Sequence, residues 1–347
     1  MNKSVRNILM SLIISIAVPV FIGAQDIHFS QNSFAPLQLN PGLAGLDDIN
    51  VYAGYRNQWR RAGAPFRTIY SSVESPISFK RKNSLNKLGV GIDFYNDVSG
   101  SPEVSNTQVN LHLSYHLFLS KYSSLSGSIY GGYKNMKVSF DNGKWASQHN
   151  GWFYNSSLES GESLIGQSTN AMDVGTGFVF TQRKKNAKAW ETDAKLFQAG
   201  VAFYHVNQPN LSMLNDDAYK LPVRTSAFVK ANIGLGKKFL LTPQFYLQSQ
   251  RPFSQVLLGT NIRYNISEKL KNTSMVSDIH SINASLGVFY RSNDALILNA
   301  LFEYTNYAIS ISFDITTSDF QGAVQSRGAT EIMLRYRLPS RNRNAIY

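Results

Sequence analysis

The side chains able to do chemistry are few and poorly spaced for it. The chain holds six histidines (His28, His112, His116, His149, His205 and His280) and no cysteine. Without thiols there is no disulfide, thiolate nucleophile or cysteine metal site. The sequence has no HExxH zinc motif, no GxSxG nucleophile elbow and no phosphate loop with its lysine. His112 and His116 stand four apart, which on a helix would align two metal ligands. They lie in VNLHLSYHLFLS, Val109–Ser120, where apolar and polar residues alternate. Period two makes this a strand. At ~3.3 Å per residue the two rings are then about 13 Å apart, too far for one ion. They read as polar lining. A Ser-His-acid triad on a barrel wall would be the remaining hydrolytic arrangement, but no serine has a partner at a telling spacing. No catalytic residue, cofactor or metal is expected.

The elements around these residues explain their placement. In Val109–Ser120 the odd positions are Val, Leu, Leu, Tyr, Leu and Leu, and the even ones Asn, His, Ser, His, Phe and Ser. So long a strand, with one apolar and one wet face, suits the wall of a membrane barrel. Fourteen such runs separated by turn chemistry can be marked: 49–60, 65–79, 86–97, 105–119, 123–139, 170–182, 195–206, 223–235, 239–250, 254–266, 281–292, 295–304, 306–317 and 328–338. The weakest are 65–79, with Glu74 and Pro76, and 239–250, with Pro243. An even count is expected of a bacterial outer-membrane barrel and returns both ends of the wall to the periplasm. The last run carries Ile332, Leu334, Tyr336 and Leu338 on one face, like the terminal strand that guides barrel assembly. Gly89, Gly91, Gly131, Gly132, Gly175 and Gly177 fall in strands, where glycine relieves crowding or permits bulges.

Composition agrees. Charged residues are 16%, against roughly 25% in soluble domains, and mean hydropathy is −0.21. This excludes a helical membrane protein but suits a wall whose alternate residues face water. Residues 1–24 have the form of a signal peptide: Lys3 and Arg6, the apolar run Ile8–Ile22, then Gly23-Ala24 as a cleavage site. Cleavage takes the net charge from +12 to +10 by removing Lys3 and Arg6. Export argues against nucleic acid as a partner of this basic chain.

Residues 25–48 have no period, but Phe29, Phe34, Leu37, Leu39 and Leu43 are too apolar for a free tail. The segment is expected to pack on or in the barrel at its periplasmic mouth. Residues 49–338 would form the barrel and 339–347 a periplasmic tail. With Gln25 starting in the periplasm, the long segments Asp141–Thr169 and Asn207–Pro222 face outward. The inward turns then collect cations: Lys80, Arg81, Lys82, Arg183, Lys184 and Lys185, with Lys87, Lys188, Lys237, Lys238, Lys269 and Lys271. Arg341 and Arg343 in the tail add to them. This basic rim either solvates the turns or docks an acidic partner. Tyr55-Arg56-Asn57-Gln58-Trp59 ends the first strand, either as a generic interfacial aromatic and its cations or as a lock on the N-terminal segment or a partner.

Two stretches resemble a known family. Gln25-Asp26-Ile27-His28-Phe29-Ser30-Gln31, with Leu39-Asn40-Pro41-Gly42-Leu43-Ala44-Gly45, is similar to the mature start of the PorP/SprF family, and Tyr55–Trp59 resembles its next block. Phe313–Ser318 and Gly328–Ile332 resemble its closing segments. Ile27 and Gly42 stand where proline and alanine would be expected. The resemblance implies an outer-membrane barrel of the type IX secretion and gliding machinery of Bacteroidota. It implies a non-enzymatic role in export or surface anchoring of a cargo protein. The implied partners are outer-membrane lipid, a periplasmic secretion or peptidoglycan-associated protein, and the secreted surface cargo. It marks Asp26, His28, Phe29, Ser30, Gln31, Asn40, Pro41, Gly45, Tyr55, Arg56, Asn57, Gln58 and Trp59 as partner-binding or structural residues. A pore or solute transporter is the rival. If Phe29–Leu43 plugs the lumen, open conductance should be absent.

Overall fold

The computed structural model describes residues 26–60, 65–78, 85–100, 104–139, 146–159, 161, 167–183, 196–213, 220–236, 238–266, 281–318, 324 and 326–338. The expected signal peptide and tail lie outside these residues. So do His280 and, of the expected inward cations, Lys80, Arg81, Lys82, Lys184, Lys185, Lys188, Lys237, Lys269 and Lys271.

Fourteen antiparallel strands close on themselves. They are β1 (Ile49–Gln58), β2 (Phe66–Ser78), β3 (Lys87–Ser99), β4 (Val104–Ser120), β5 (Ser123–Val138), β6 (Ser168–Arg183), β7 (Leu196–Tyr204), β8 (Arg224–Leu235), β9 (Phe239–Gln250), β10 (Phe253–Asn265), β11 (Ile282–Arg291), β12 (Ala295–Tyr304), β13 (Tyr307–Thr316) and β14 (Arg327–Leu338). Each pairs with its sequence neighbours, and β1 closes the ring against β14, with Ile49 opposite Leu338 and Tyr55 opposite Ile332. Closure leaves no strand edge facing lipid. The limits differ from the expected runs by two residues at most. Both doubtful runs are strands, with Pro76 opposite Gly89 and Pro243 opposite Thr260. Glu74 is tolerated because it turns inward, where the Asn50 amide donates to it at 2.9 Å.

Alternation sets the two faces. On β4, Leu111, Leu113, Tyr115 and Leu117 are exposed outward, while Gln108, Asn110, His112, Ser114 and His116 are buried inward. The same holds for β13, where Ile309, Ile311 and Phe313 face out and Ser310, Ser312 and Asp314 face in. The outer band is therefore apolar and the inner wall polar, as a lipid-embedded barrel requires. Tyr307 and Tyr336 stack at 4.8 Å where β13 begins and β14 ends.

Much of the inner wall is buried because residues 26–48 run through it. We call the end where β1 begins and β14 finishes the near end, and the other the far end. Asp26 meets Lys134 and Arg224, both close to the far end. Asp47 meets Arg183, at the near end of β6. Between them lie a 3₁₀ turn at Asn32–Phe34, the short helix α1 (Pro36–Leu39) and a second 3₁₀ turn at Pro41–Leu43. Prolines open both α1 and the second turn, where the missing N–H costs nothing. This corrects the expected placement of the segment at one mouth. It enters at the far end and traverses the lumen before turning into β1. Its apolar side chains split the interior into two cores. Phe29 and Phe34 pack with Tyr52, Tyr70, Tyr95 and Met333. Leu39 and Leu43 pack with Val179, Phe228, Tyr246 and Phe289.

Candidate functional site

The site is the seam between the traversing segment and the wall, held in four places. The first is a ring of buried charges at the far end. Arg56 on β1 reaches Glu331 on β14 at 3.0 Å and Asp314 on β13 at 3.3 Å. Arg291 on β11 pairs with Asp314 and, at 2.6 Å, with Asp294. Arg56, Asp314 and Glu331 have side chains at most 3% exposed, so each charge depends on its partners. Ser30 and Gln31 sit in the ring. Their backbone N–H groups donate to the two Glu331 oxygens at 3.0 and 2.9 Å. The Ser30 hydroxyl donates to Asp314 at 2.8 Å and accepts from Arg56 at 2.7 Å. Gln31 also donates to Ser312 and accepts from Asn299.

The second grip holds Asp26, which accepts from Lys134 at 3.0 Å and pairs with His205 and Arg224. His205 sits between two carboxylates, with Asp173 at 2.9 Å from its other ring nitrogen. Tyr130 donates to Asp173 at 2.8 Å, and Arg224 lies over the Tyr204 ring. Three basic side chains thus surround the Asp26 carboxylate. Burial opposes a charged His205, but Asp26 and Asp173 raise its pKa above the ordinary value. His28 is the opposite case, since its buried Nε2 meets no hydrogen-bond partner.

The third grip lies mid-lumen. Gln38 donates to Asp93 at 2.7 Å, which also pairs with His112. Tyr204 and Ser226 donate to the Leu37 and Leu39 carbonyls, both at 2.9 Å. Asn40 donates to the Phe178 carbonyl and caps the turn by accepting from Gly42. The fourth grip, nearer the β1 start, closes on Ala44-Gly45. The Ala44 carbonyl accepts from Ser114 at 2.7 Å and from His116 at 2.9 Å. Gly45 has φ +60°, and a Cβ there would lie 2.4 Å from the Ser75 carbonyl oxygen. Lys87 caps the Leu46 carbonyl. The two neighbouring histidines thus serve separate partners.

The structure divides the expected residues. Asp26, Phe29, Ser30, Gln31, Asn40, Pro41, Gly45, Arg56 and Gln58 meet at the seam. Pro41 packs beside Gly177, where a Cβ would lie 3.0 Å from its ring. The block Tyr55–Trp59 is not one cluster, because a strand cannot aim adjacent side chains together. Arg56 and Gln58 turn inward, whereas Tyr55 is 42% exposed on the outer face and Asn57 donates to its hydroxyl. Trp59 ends the strand at φ 56° and packs edge-on against Phe66. Arg183 pairs with Asp47. Sequence reasoning missed Lys134, Asp173, His205, Arg224, Arg291 and Glu331 as parts of the seam. One signal was available: Lys134, Asp173, Arg224, Arg291 and Glu331 are charges at lumen parity in strands, and such charges need partners.

The inward groups of the four grips hold the segment, and no group of histidines and carboxylates among the described residues could hold a metal ion. The arrangement closes a lumen.

The family model for the type IX secretion system membrane protein PorP/SprF matches residues 22–336. No curated protein matches the chain. Among solved structures, the chain is similar to the toluene transporter TbuX of Ralstonia pickettii at 11% identity, covering 88% of this chain and 93% of that one, with a TM-score of 0.48. TodX, the toluene transporter of Pseudomonas putida, is 8% identical over 90% and 95%, with a TM-score of 0.47. BamA of Haemophilus ducreyi lacking POTRA domains 1–3 is 8% identical over 85% and 70%, with a TM-score of 0.45. At these scores the likenesses carry no functional argument.

Proposed function

Because the chain belongs to the PorP/SprF family of type IX secretion system membrane proteins, we propose that it is a non-enzymatic outer-membrane component of that system, supporting export or surface anchoring of a partner protein. The observation that carries this beyond the family is the occupied lumen. Residues 26–48 run through it from the far end to the near end and bury much of its polar wall, which opposes a solute pathway and favours a role as a scaffold. On this reading the near end, where both ends of the wall lie, faces the periplasm, and Asp26 lies toward the outer surface, so the expected start of the mature chain in the periplasm is not kept. The connections of the far end, which include 139–167 and 205–223, then face outward. The basic rim of Lys80, Arg81, Lys82, Arg183, Lys184 and Lys185 meets an acidic periplasmic partner by charge steering.

The test is the surface and secreted proteome of a deletion strain against its parent. Loss of one large surface protein identifies a dedicated export or anchoring partner, and loss of many type IX cargos identifies core machinery. An unchanged proteome overturns the proposal and returns the pore as the working reading.

A further inference from the structure

The segment does not fill the lumen evenly. Toward the near end it follows the wall on the β1 to β7 side: Ala44 touches Ser114 and His116, Leu46 touches Lys87, and Asp47 touches Arg183. There the inward side chains are buried, as with Ser114, His116 and Ser126. Across the lumen, the inward residues of β8, β10, β12 and β14 keep partial exposure over the same depth. They include Lys230, Arg263, Arg335 and Arg337, with Glu303 between them. Arg335 lies over the Phe34 ring, so the segment roofs the space.

The charges do not balance. Glu303 is shared by Arg263 at 3.0 Å and Arg335 at 2.7 Å. Lys230 and Arg337 lie within electrostatic reach of the same carboxylate and of each other. Four cations therefore share two anions, Glu303 and Asp47, and Asp47 is also paired to Arg183. The Nε atoms of Arg263, Arg335 and Arg337 are buried and lack any hydrogen-bond partner. Buried donors are normally satisfied, and like charges this close repel unless an anion separates them. Three guanidinium groups with spare N–H bonds form a receptor for planar anions.

We propose that this near-end vestibule binds an acidic peptide segment, whose side-chain carboxylates complete the arginine forks as Glu303 already does for two of them. Carboxylate is the chemistry the vestibule itself displays, and a chain bearing several can serve cations spread over four strands where one small ion cannot. The proposal rests on the secretion reading only for the compartment supplying the peptide.

The mature full-length protein in nanodiscs would be titrated into fluorescein-labelled decaglutamate and followed by anisotropy. Wild type is expected to bind with salt-sensitive affinity. Arg335→Gln/Arg337→Gln should weaken binding about tenfold or more, and Arg335→Lys/Arg337→Lys should restore much of it. Lys121→Gln, in the exposed near-end turn between β4 and β5, should change it by less than about threefold. Lys230→Gln, which disturbs no hydrogen bond described above, should weaken it several-fold should the double variant fail to fold. Decaglutamate binding that is absent in wild type or equal in all variants overturns the proposal. So does tight binding of inorganic pyrophosphate without peptide binding, which would make the site one for phosphate. Failure here beside an altered deletion-strain proteome removes the vestibule and leaves the secretion role standing.

Discussion

Arg56→Ala should convert a closed barrel into a leaking one. Removing the guanidinium leaves Asp314 and Glu331 buried with Arg291 as their remaining cation, and takes a donor from Ser30. Breaking a buried charge network by deleting one member costs about 3–5 kcal/mol. The wall can survive that loss, because fourteen strands remain paired around the ring. The Ser30-Gln31 grip cannot, because Glu331 holds both of their N–H groups only while it stays ionised and in place. The variant should therefore keep heat-modifiable mobility on gels, the usual sign of a folded barrel, yet show channel openings in planar bilayers. Arg56→Lys keeps the charge without the fork and should fall between. A variant as silent and as stable as wild type would mean that the ring does not retain the segment.

The second large effect comes from crowding. A Cβ on Gly89 would lie 1.8 Å from the Ala44 carbonyl oxygen and 2.4 Å from the Ser114 hydroxyl. Ala44 cannot retreat freely, because Gly45 beside it already sits against the Ser75 carbonyl at a positive φ. Gly89→Val should thus push the segment off the wall, losing the Ser114 and His116 bonds and destabilising the protein by about 1–3 kcal/mol or more. The urea midpoint of the protein in lipid vesicles reads this. Gly131→Ala is the control. Its Cβ would meet nothing within 4 Å, so its midpoint should stay at the wild-type value. Equal midpoints for Gly89→Val and Gly131→Ala would contradict the close approach.

Much of the wall was legible because a strand repeats every two residues. Val109–Ser120 and Tyr307–Ile315 declare both faces without any tertiary information. Pro76 and Pro243 weakened two runs locally, but each still pairs with one neighbouring strand and stands clear of the ladder on the other side, where its missing N–H is not needed. The glycines in strands signalled crowding, and Gly89, Gly91 and Gly177 do face the segment, whereas Gly131 faces open space. The path of residues 26–48 was not legible. Its contacts join positions such as Ser30 and Glu331, or Asp26 and Arg224, and no local period encodes a partner so distant in sequence. Arg56, Asp314 and Glu331 each lie in blocks that carried the family resemblance, yet only closure of β1 against β14 brings them together. Tyr55 shows the reverse. It shares the block with Arg56 but faces outward, a division that strand parity alone could have made.

Ser30 and Gln31 bond to β1, β13 and β14 at once, so the segment ties the last strands to the first.

If the protein's own segment 26–48 closes the lumen, the purified mature wild-type protein should carry no current in a planar bilayer. The barrel is expected to insert without stepwise openings. A steady open conductance from that same protein would contradict it.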